Sequence, residues 1–166
     1  APDAEHRVRD AGNLNGLPRL APRDANRVML HNGLRRIAAD FAWAVYRGGG
    51  EVIFENPADR GDKTQQHVYW EAKAGHASIF NTDELMRFAA TSGATRVTAP
   101  FCAFGADVQK YFTLLATPGA ALVLEPVKGL VCRHRSHAAH AFGIDAEGER
   151  ASSSTAPYPE HLCSVL

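Results

Sequence analysis

The chain has no long apolar run, little cysteine and no excess of charge of either sign. No segment approaches the roughly 20 consecutive apolar residues of a membrane-spanning helix, so no membrane association is expected. Eighteen Lys and Arg balance eighteen Asp and Glu, so a contact with nucleic acid would have to be local. Three cysteines, an odd number, argue against a complete set of disulfides and favour a reducing, intracellular compartment.

Two further features are missing: a leader segment and an internal repeat. The N-terminal APDAEHRVRD is charged and has no apolar core, so we expect no signal peptide. No repeat with a period of 20 to 50 residues is visible. The composition, 45% hydrophobic and 22% charged over 166 residues, is instead typical of one globular domain.

Changes in composition divide the chain into three parts. Residues 1–23 combine Gly and Pro with Asn and Arg and are expected to form an extended arm that packs against something else; disorder is the alternative. Residues 24–144 contain the patterned segments and form the predicted α/β half-domain. Residues 145–166 are a polar, serine-rich linker followed by a short amphipathic C-terminal segment.

The patterned part opens with a helix followed by a strand. Asp24 is a plausible N-cap, and Gly48 to Gly50 end the helix. Glu51 to Phe54 then predict a short buried strand. Apolar residues at spacings of three and four give the helix one apolar face: Val28, Leu30, Leu34, Ile37, Ala38, Phe41 and Val45.

The best candidate site follows that strand directly, at Glu55, Asn56 and Pro57. Proline has no N–H to donate, so Pro57 is expected to end the strand and to hold the carboxylate and the amide just beyond it. Open α/β sheets bind their ligands at that end of a strand. Glu55 could then read the edge of a base or deliver a proton. The alternative is a simple turn at Asn56-Pro57 with Glu55 facing water.

A second candidate lies on a predicted hairpin. Thr82 to Ser92 reads as a helix closed by Gly93, and Arg96 to Phe104 and Gln109 to Thr117 read as two strands with a short connection. Lys110 and Thr113 on this hairpin could contact phosphate or an anionic substrate. A solvated lysine is the alternative. Cys102 is expected to be a small core residue.

The third candidate is a cluster of potential metal ligands near the C-terminus. Cys132, His134, His137 and His140 have the side chains that zinc prefers, and Cys163 could complete a tetrahedral set from a distance. The spacing differs from that of a standard zinc finger. A basic, histidine-rich surface loop that touches phosphate is the alternative.

Four segments in this order resemble the C-terminal half of DNA cytosine-5 methyltransferases, and more closely their divergent relatives in phages and in protist and algal mobile elements. The segments are VIFENPADRG at 52–61, FCAFGADVQKYFTLL at 101–115, CRHRSHAAHAFG at 132–143 and APYPEHLC at 156–163. The resemblance extends from about Asn13 onward. It implies a partial Rossmann-like methyltransferase sheet with an antiparallel hairpin.

The resemblance also implies roles for the candidate residues. In that family the Glu-Asn pair holds a cytosine flipped out of the helix, a position matched by Glu55 and Asn56. Lys110 stands where the family's hairpin carries an arginine. The chain lacks the glycine-rich loop for S-adenosylmethionine and the Pro-Cys nucleophile, both of which would precede residue 1. It therefore resembles a base-pocket half that is inactive alone and binds S-adenosylmethionine only if an upstream half is supplied.

An incomplete sheet implies a partner. The missing strands would leave a sheet edge and an apolar face uncovered, so a protein partner or dimer is expected to cover them, with DNA or RNA as a further candidate partner. The alternative function is a non-enzymatic docking module of a larger assembly, stapled by zinc. A zinc hydrolase is a weaker third reading, with Glu55 as its only candidate base.

Overall fold

A computed structural model of the protein describes residues 8–137 and 157–164. Within these residues the chain divides into two compact units. The first comprises 8–52 and 59–94, and the second comprises 53–58, 95–137 and 157–164. Helices and strands are both present, and the described strands form one small, open, antiparallel sheet.

The first unit is built on a long helix, α1, which spans Pro22–Arg47. Proline is favoured in a first helical turn because its missing N–H would have no intrahelical partner there. Asp24 is not the N-cap: it lies inside the first turn and is buried, while Ala21 holds the N-cap position without a side-chain hydrogen bond. The helix ends at Gly48, as predicted.

α1 leaves its large apolar side chains exposed. We call four of them the Leu30 face: Leu30, Leu34, Ile37 and Phe41, which are 54% to 72% exposed. The prediction of one apolar face is therefore wrong in part: of its members only Val28 is buried, and Val28 does not lie with the others. At about 100° per residue the buried Val28, Ala39 and Ala42 lie on the opposite side of the helix from the Leu30 face.

A second helix, α2, spans Asp83–Ser92 and packs on α1. The Phe88 ring meets Trp43 and Tyr46 edge-on, at 5.3 and 6.0 Å between centroids. Arg35 Nη2 donates to Glu84 Oε1 at 3.3 Å. These contacts explain which side of α1 is buried, because its aromatic and arginine side chains engage α2.

Both ends of α2 lie where the sequence predicts them. Gly93 terminates it in the left-handed conformation, with φ of 70°, which glycine adopts without steric cost. Thr82 occupies the N-cap position, but its hydroxyl donates to the Ile79 carbonyl oxygen at 2.7 Å and does not cap the helix.

The described part of the predicted arm, residues 8–21, is tied to α1 by polar side chains. Arg9 Nη2 donates to Asn32 Oδ1 at 2.8 Å, and Arg35 Nη2 donates to Asn15 Oδ1 at 2.8 Å. Burial, followed by the nearby charge of Arg35, lowers the pKa of Arg9. The side chains of Arg9 and Arg35 therefore hold residues 8–21 against α1.

The segment between Asp59 and Thr82 contains two 3₁₀ turns, Glu71–Lys73 and Ile79–Asn81, within a polar loop. Gly61 lies against the backbone of this segment: a Cβ added there would be 2.6 Å from the Lys73 carbonyl oxygen. Only glycine fits against backbone at that distance.

The second unit contains the sheet, whose strands are β1 at Ile53–Pro57, β2 at Thr95–Pro100 and β3 at Tyr111–Ala116. The strand order is β1-β3-β2, and β1 and β2 each pair antiparallel with β3. This confirms the predicted hairpin, although its first strand ends early. Phe101–Phe104 forms a 3₁₀ turn instead, closed by Gly105 at φ of 88°.

β3 is the central strand and β1 is an edge. All six residues of β3 are buried, whereas no residue of β1 is. The prediction of a buried strand at Glu51 to Phe54 is therefore wrong in both position and burial. Pro57 is the last residue of β1 and is tolerated there because an edge strand can lack one backbone donor.

Short helices complete the core of the second unit. α3 spans Pro118–Val123, a 3₁₀ turn follows at Glu125–Val127, and α4 spans Glu160–Cys163. Their buried side chains, among them Leu124, Val127 and Leu162, pack with Phe112 and Leu114 of β3 in one apolar cluster.

The predicted C-terminal linker at 145–156 and the candidate ligand His140 lie outside the described residues. Among the helices of the described chain, none combines the length and the apolar character that crossing a bilayer requires.

Candidate functional site

Glu55 lies within β1 and not beyond its end. It is opposite Leu114, Asn56 is opposite Thr113, and Pro57 still pairs with Phe112. Successive side chains of a strand point to opposite faces of the sheet, so Glu55 and Asn56 lie on different faces. Pro57 is the last residue of the strand, as predicted, but Glu55 and Asn56 lie inside the strand and not beyond it, so that part of the prediction is wrong.

Glu55 instead has a partner from the other end of the chain. The Tyr158 hydroxyl donates to Glu55 Oε2 at 2.7 Å. Burial raises the pKa of Tyr158, and the hydrogen bond to Glu55 and its negative charge raise it further. The phenol is therefore protonated at neutral pH and acts as the donor in this pair.

Phe101 connects this pair to the predicted hairpin lysine. The ring centroids of Phe101 and Tyr158 are 5.7 Å apart, and Lys110 Nζ lies 4.8 Å from the Phe101 centroid. The Phe101 N–H also donates to the Lys110 carbonyl oxygen at 2.8 Å. We call Glu55, Phe101, Lys110 and Tyr158 the Glu55 cluster. It joins a carboxylate, two aromatic rings and an ammonium group.

A cavity of about 490 Å³ adjoins the Glu55 cluster. Its walls include Phe101, Phe104, Val108, Tyr158 and His161. This volume lies within the roughly 300–1,000 Å³ of small-molecule sites. Aromatic side chains from the 3₁₀ turn and from the segment before α4 thus line an open cavity, which the Glu55 cluster adjoins through Phe101 and Tyr158.

The other residues predicted to bind substrate lie outside the Glu55 cluster. Thr113 is buried, and its hydroxyl is hydrogen-bonded to that of Thr98 at 2.8 Å. Asn56 Nδ2 donates to the Pro57 carbonyl oxygen at 3.3 Å. Tyr158 and Phe101 were not predicted as site residues. They lie in two of the segments that carry the resemblance, APYPEHLC and FCAFGADVQKYFTLL.

A second cluster could hold a metal ion. One ligand atom from each of Cys102, Cys132, His134 and His137 lies within 4.8 Å of the others. Cys132 Sγ is 3.8 Å from His134 Nδ1 and 3.3 Å from His137 Nε2. Two sulfur and two imidazole donors are a set that zinc uses in proteins. We call these four residues the Cys102 cluster.

The fourth member of this set differs from the prediction. Cys163 is exposed and does not belong to the Cys102 cluster, whereas Cys102, predicted as a core residue, is buried and supplies a ligand atom. Burial, and then the hydrogen bond with Cys132, raise the pKa of the Cys102 thiol to about 11. A metal ion would displace that proton on binding.

Comparison of the chain with protein-family models, with curated proteins and with solved structures finds no match. Both clusters lie in the second unit. The Glu55 cluster offers recognition groups beside a cavity, and the Cys102 cluster offers metal ligands.

Proposed function

We propose that the chain is the base-recognition half of a DNA methyltransferase-like domain and that the Glu55 cluster contacts a base taken out of the stack. The observation that carries the proposal is the convergence of Glu55 and Lys110 on two aromatic rings beside a cavity. Enzymes that act on a base read its edge by hydrogen bonds and hold its faces by stacking.

Each group in the cluster has a role in this proposal. The Glu55 carboxylate accepts hydrogen bonds from the amino group or a ring N–H of the base. The Tyr158 ring offers a stacking face. Lys110 supplies positive charge for the adjacent phosphate. The proton on Tyr158 orients the carboxylate through Oε2 and leaves its other oxygen available to the base.

The sheet supports one part of the resemblance. Its described strands pair only antiparallel, in the order β1-β3-β2, and do not include the adjacent parallel strands of a Rossmann-like sheet. The β2–β3 pair corresponds to the antiparallel hairpin that the resemblance implies.

Methyl transfer would require a completing half. The sequence contains neither the glycine-rich loop for S-adenosylmethionine nor a Pro-Cys dipeptide. In this proposal Glu55 therefore acts catalytically, by stabilising the protonated base, only when another polypeptide or segment supplies the cofactor and the nucleophile. The chain alone recognises a base without transforming it.

The test is binding of a short single-stranded DNA containing cytosine, followed by fluorescence anisotropy at low and moderate salt. We expect Glu55→Gln to weaken binding about tenfold through loss of one charge-assisted hydrogen bond. Lys110→Ala should lower both the affinity and its salt dependence. Glu125→Gln and Lys128→Ala are matched controls, because these two residues pair with each other at the surface.

Two outcomes contradict the proposal: no DNA binding by the wild-type chain at low salt, or equal losses for the Glu55 and Glu125 variants. If the wild-type chain binds the DNA, addition of an upstream half that bears the Pro-Cys motif should allow methyl transfer. Glu55→Gln should abolish that transfer.

A second candidate function is protein docking, favoured by the Leu30 face. Its four large apolar side chains lie at spacings of four, three and four residues and are mostly exposed. Such contiguous exposed faces mark interaction surfaces. A protein partner or a second copy of the chain would cover this face in a larger assembly.

Analytical ultracentrifugation over a range of concentrations tests the docking function. If the wild-type chain self-associates or binds the completing half through the Leu30 face, Leu34→Glu should abolish that interaction. Leu122→Glu is the matched control, because Leu122 is also exposed but belongs to the second unit. A wild-type chain that stays monomeric and binds the completing half equally well with Leu34→Glu contradicts this candidate.

A further inference from the structure

We propose that Cys102, Cys132, His134 and His137 form a closed Zn²⁺ site that staples the segment 131–137 to the 3₁₀ turn after β2. The Cys102 cluster stands apart from the base-recognition proposal, since none of its members belongs to the Glu55 cluster. The two proposals can therefore fail independently.

The geometry of the cluster fits a tetrahedral ion. Zinc binds sulfur and nitrogen ligands at roughly 2.3 and 2.0 Å, which places ligand atoms roughly 3.3 to 3.8 Å apart in a tetrahedron. Cys132 Sγ already meets both histidine nitrogens at 3.3 and 3.8 Å. All four ligand atoms lie within 4.8 Å of one another. A shift of about 1 Å or less would bring each into the coordination sphere.

The donor types select the ion and its role. Thiolates and imidazoles favour zinc over magnesium or calcium, which prefer oxygen ligands. Four protein ligands leave no open position for water, which is the arrangement of structural and not catalytic zinc sites. The cluster therefore stabilises the fold, and a zinc hydrolase is not supported.

The segment that carries three of the ligands needs such a staple. Residues 131–137 contain no regular secondary structure, and none of them is buried. The Cys132 N–H donates to the Tyr111 hydroxyl oxygen at 3.2 Å, which connects the segment to the first residue of β3. Cys102, by contrast, is anchored in the core. A metal ion would fix the exposed segment to this anchor without any apolar burial.

The site would also stiffen the start of β3. Tyr111 is the first residue of that strand and the residue directly after Lys110. Zinc at the Cys102 cluster would hold Cys132 against the Tyr111 hydroxyl. The metal would thereby restrain the residue next to Lys110 without contacting the Glu55 cluster.

The experiment is a metal titration of the reduced, chelator-treated full chain with Zn²⁺ and with Co²⁺ as a spectroscopic probe. We expect one ion per chain by native mass spectrometry and tetrahedral cobalt bands with thiolate-to-metal charge transfer. Cys102→Ser should weaken binding on the order of 100-fold, because one of four strong ligands is lost. Cys163→Ser is the matched control and should bind as the wild type does.

A second pair of variants tests the metal site without replacing the buried Cys102, whose substitution could disturb the core. His134 is an exposed ligand, so His134→Ala should lose metal affinity while the metal-free chain keeps its fold. His31→Ala, at an exposed position on α1, is the control. The proposal is overturned if no stoichiometric ion binds, if cobalt shows no thiolate charge transfer, or if Cys163→Ser loses the metal and Cys102→Ser retains it.

Discussion

All six residues of β3 are buried in the second unit, whereas the four side chains of the Leu30 face are exposed in the first. Both segments carry large apolar side chains. β3 is covered on its two sides by β1 and β2 and completes a core with Leu124, Val127 and Leu162. α1 buries small residues and an arginine instead. Apolar spacing thus identifies a face of an element, but it does not say whether this chain covers that face.

The largest expected effect comes from one substitution made in both units. Leu114→Ala should destabilise the second unit by about 3 kcal/mol, because Leu114 is 1% exposed and its truncation leaves a cavity. Leu34→Ala should change stability by less than about 0.5 kcal/mol, since Leu34 is exposed on α1. Urea unfolding measures both. Equal losses would mean that the Leu30 face is covered in solution.

Two glycine substitutions compare a tightly packed position of the first unit with an open one. Gly61→Ala should destabilise the chain by about 2 kcal/mol, because the new Cβ would meet the Lys73 carbonyl oxygen at 2.6 Å. Gly33→Ala should stabilise it by about 0.5–1 kcal/mol, because Gly33 lies inside α1 with no atom within 4 Å of an added Cβ. Thermal unfolding separates the two. A destabilising Gly33→Ala would place another surface against α1.

The smallest effect concerns the charged pair that joins α1 to α2. The pKa of Glu84 lies below its ordinary value of 4.5, first because its own backbone N–H bonds to the carboxylate and then, against the effect of burial, because of Arg35. This stabilisation is fully present above about pH 4.5 and is lost as the pH falls through the lowered value.

Glu84→Gln should therefore lower the free energy of unfolding by roughly 0.5 kcal/mol at pH 7, since the Glu84 side chain is 35% exposed and solvent screens the pair. It should have no effect at acid pH, where the wild-type carboxyl group is also neutral. Denaturant midpoints at several pH values measure this difference. Glu125→Gln removes an exposed ion pair with Lys128 and serves as the control with little effect at any pH. A penalty for Glu84→Gln that does not change with pH would assign the loss to packing.

Local patterns predicted the elements that depend on local chemistry. Gly93 closes α2 and Gly48 closes α1 because helix termination is decided within a few residues. The β2–β3 pair followed from two β-rich runs with a short connection. The placement of Glu55 failed because β1 spans Ile53–Pro57 and not Glu51 to Phe54, and nothing local sets the register that pairs Glu55 with Leu114.

Contacts between distant segments could not be predicted in the same way. Cys102 joins three later ligands only because the 3₁₀ turn after β2 returns it to the segment that follows Leu130. Cys163 was equally plausible from composition alone. Tyr158 reaches Glu55 for the same kind of reason, since packing at the end of the chain is not encoded in any local spacing. The roles of Glu55 and Lys110 remain predictions.

The hydrogen bond between Tyr158 and Glu55 spans 103 positions of the chain, and this separation has a kinetic consequence. Closing so long a loop has a high entropic cost, so contacts of this kind form after the local hairpin and helices. We therefore expect the Glu55 cluster to assemble late in folding. Any ligand that requires Tyr158 in place would bind only chains that have completed this step, so its binding rate after refolding would report the final ordering of the C-terminal segment.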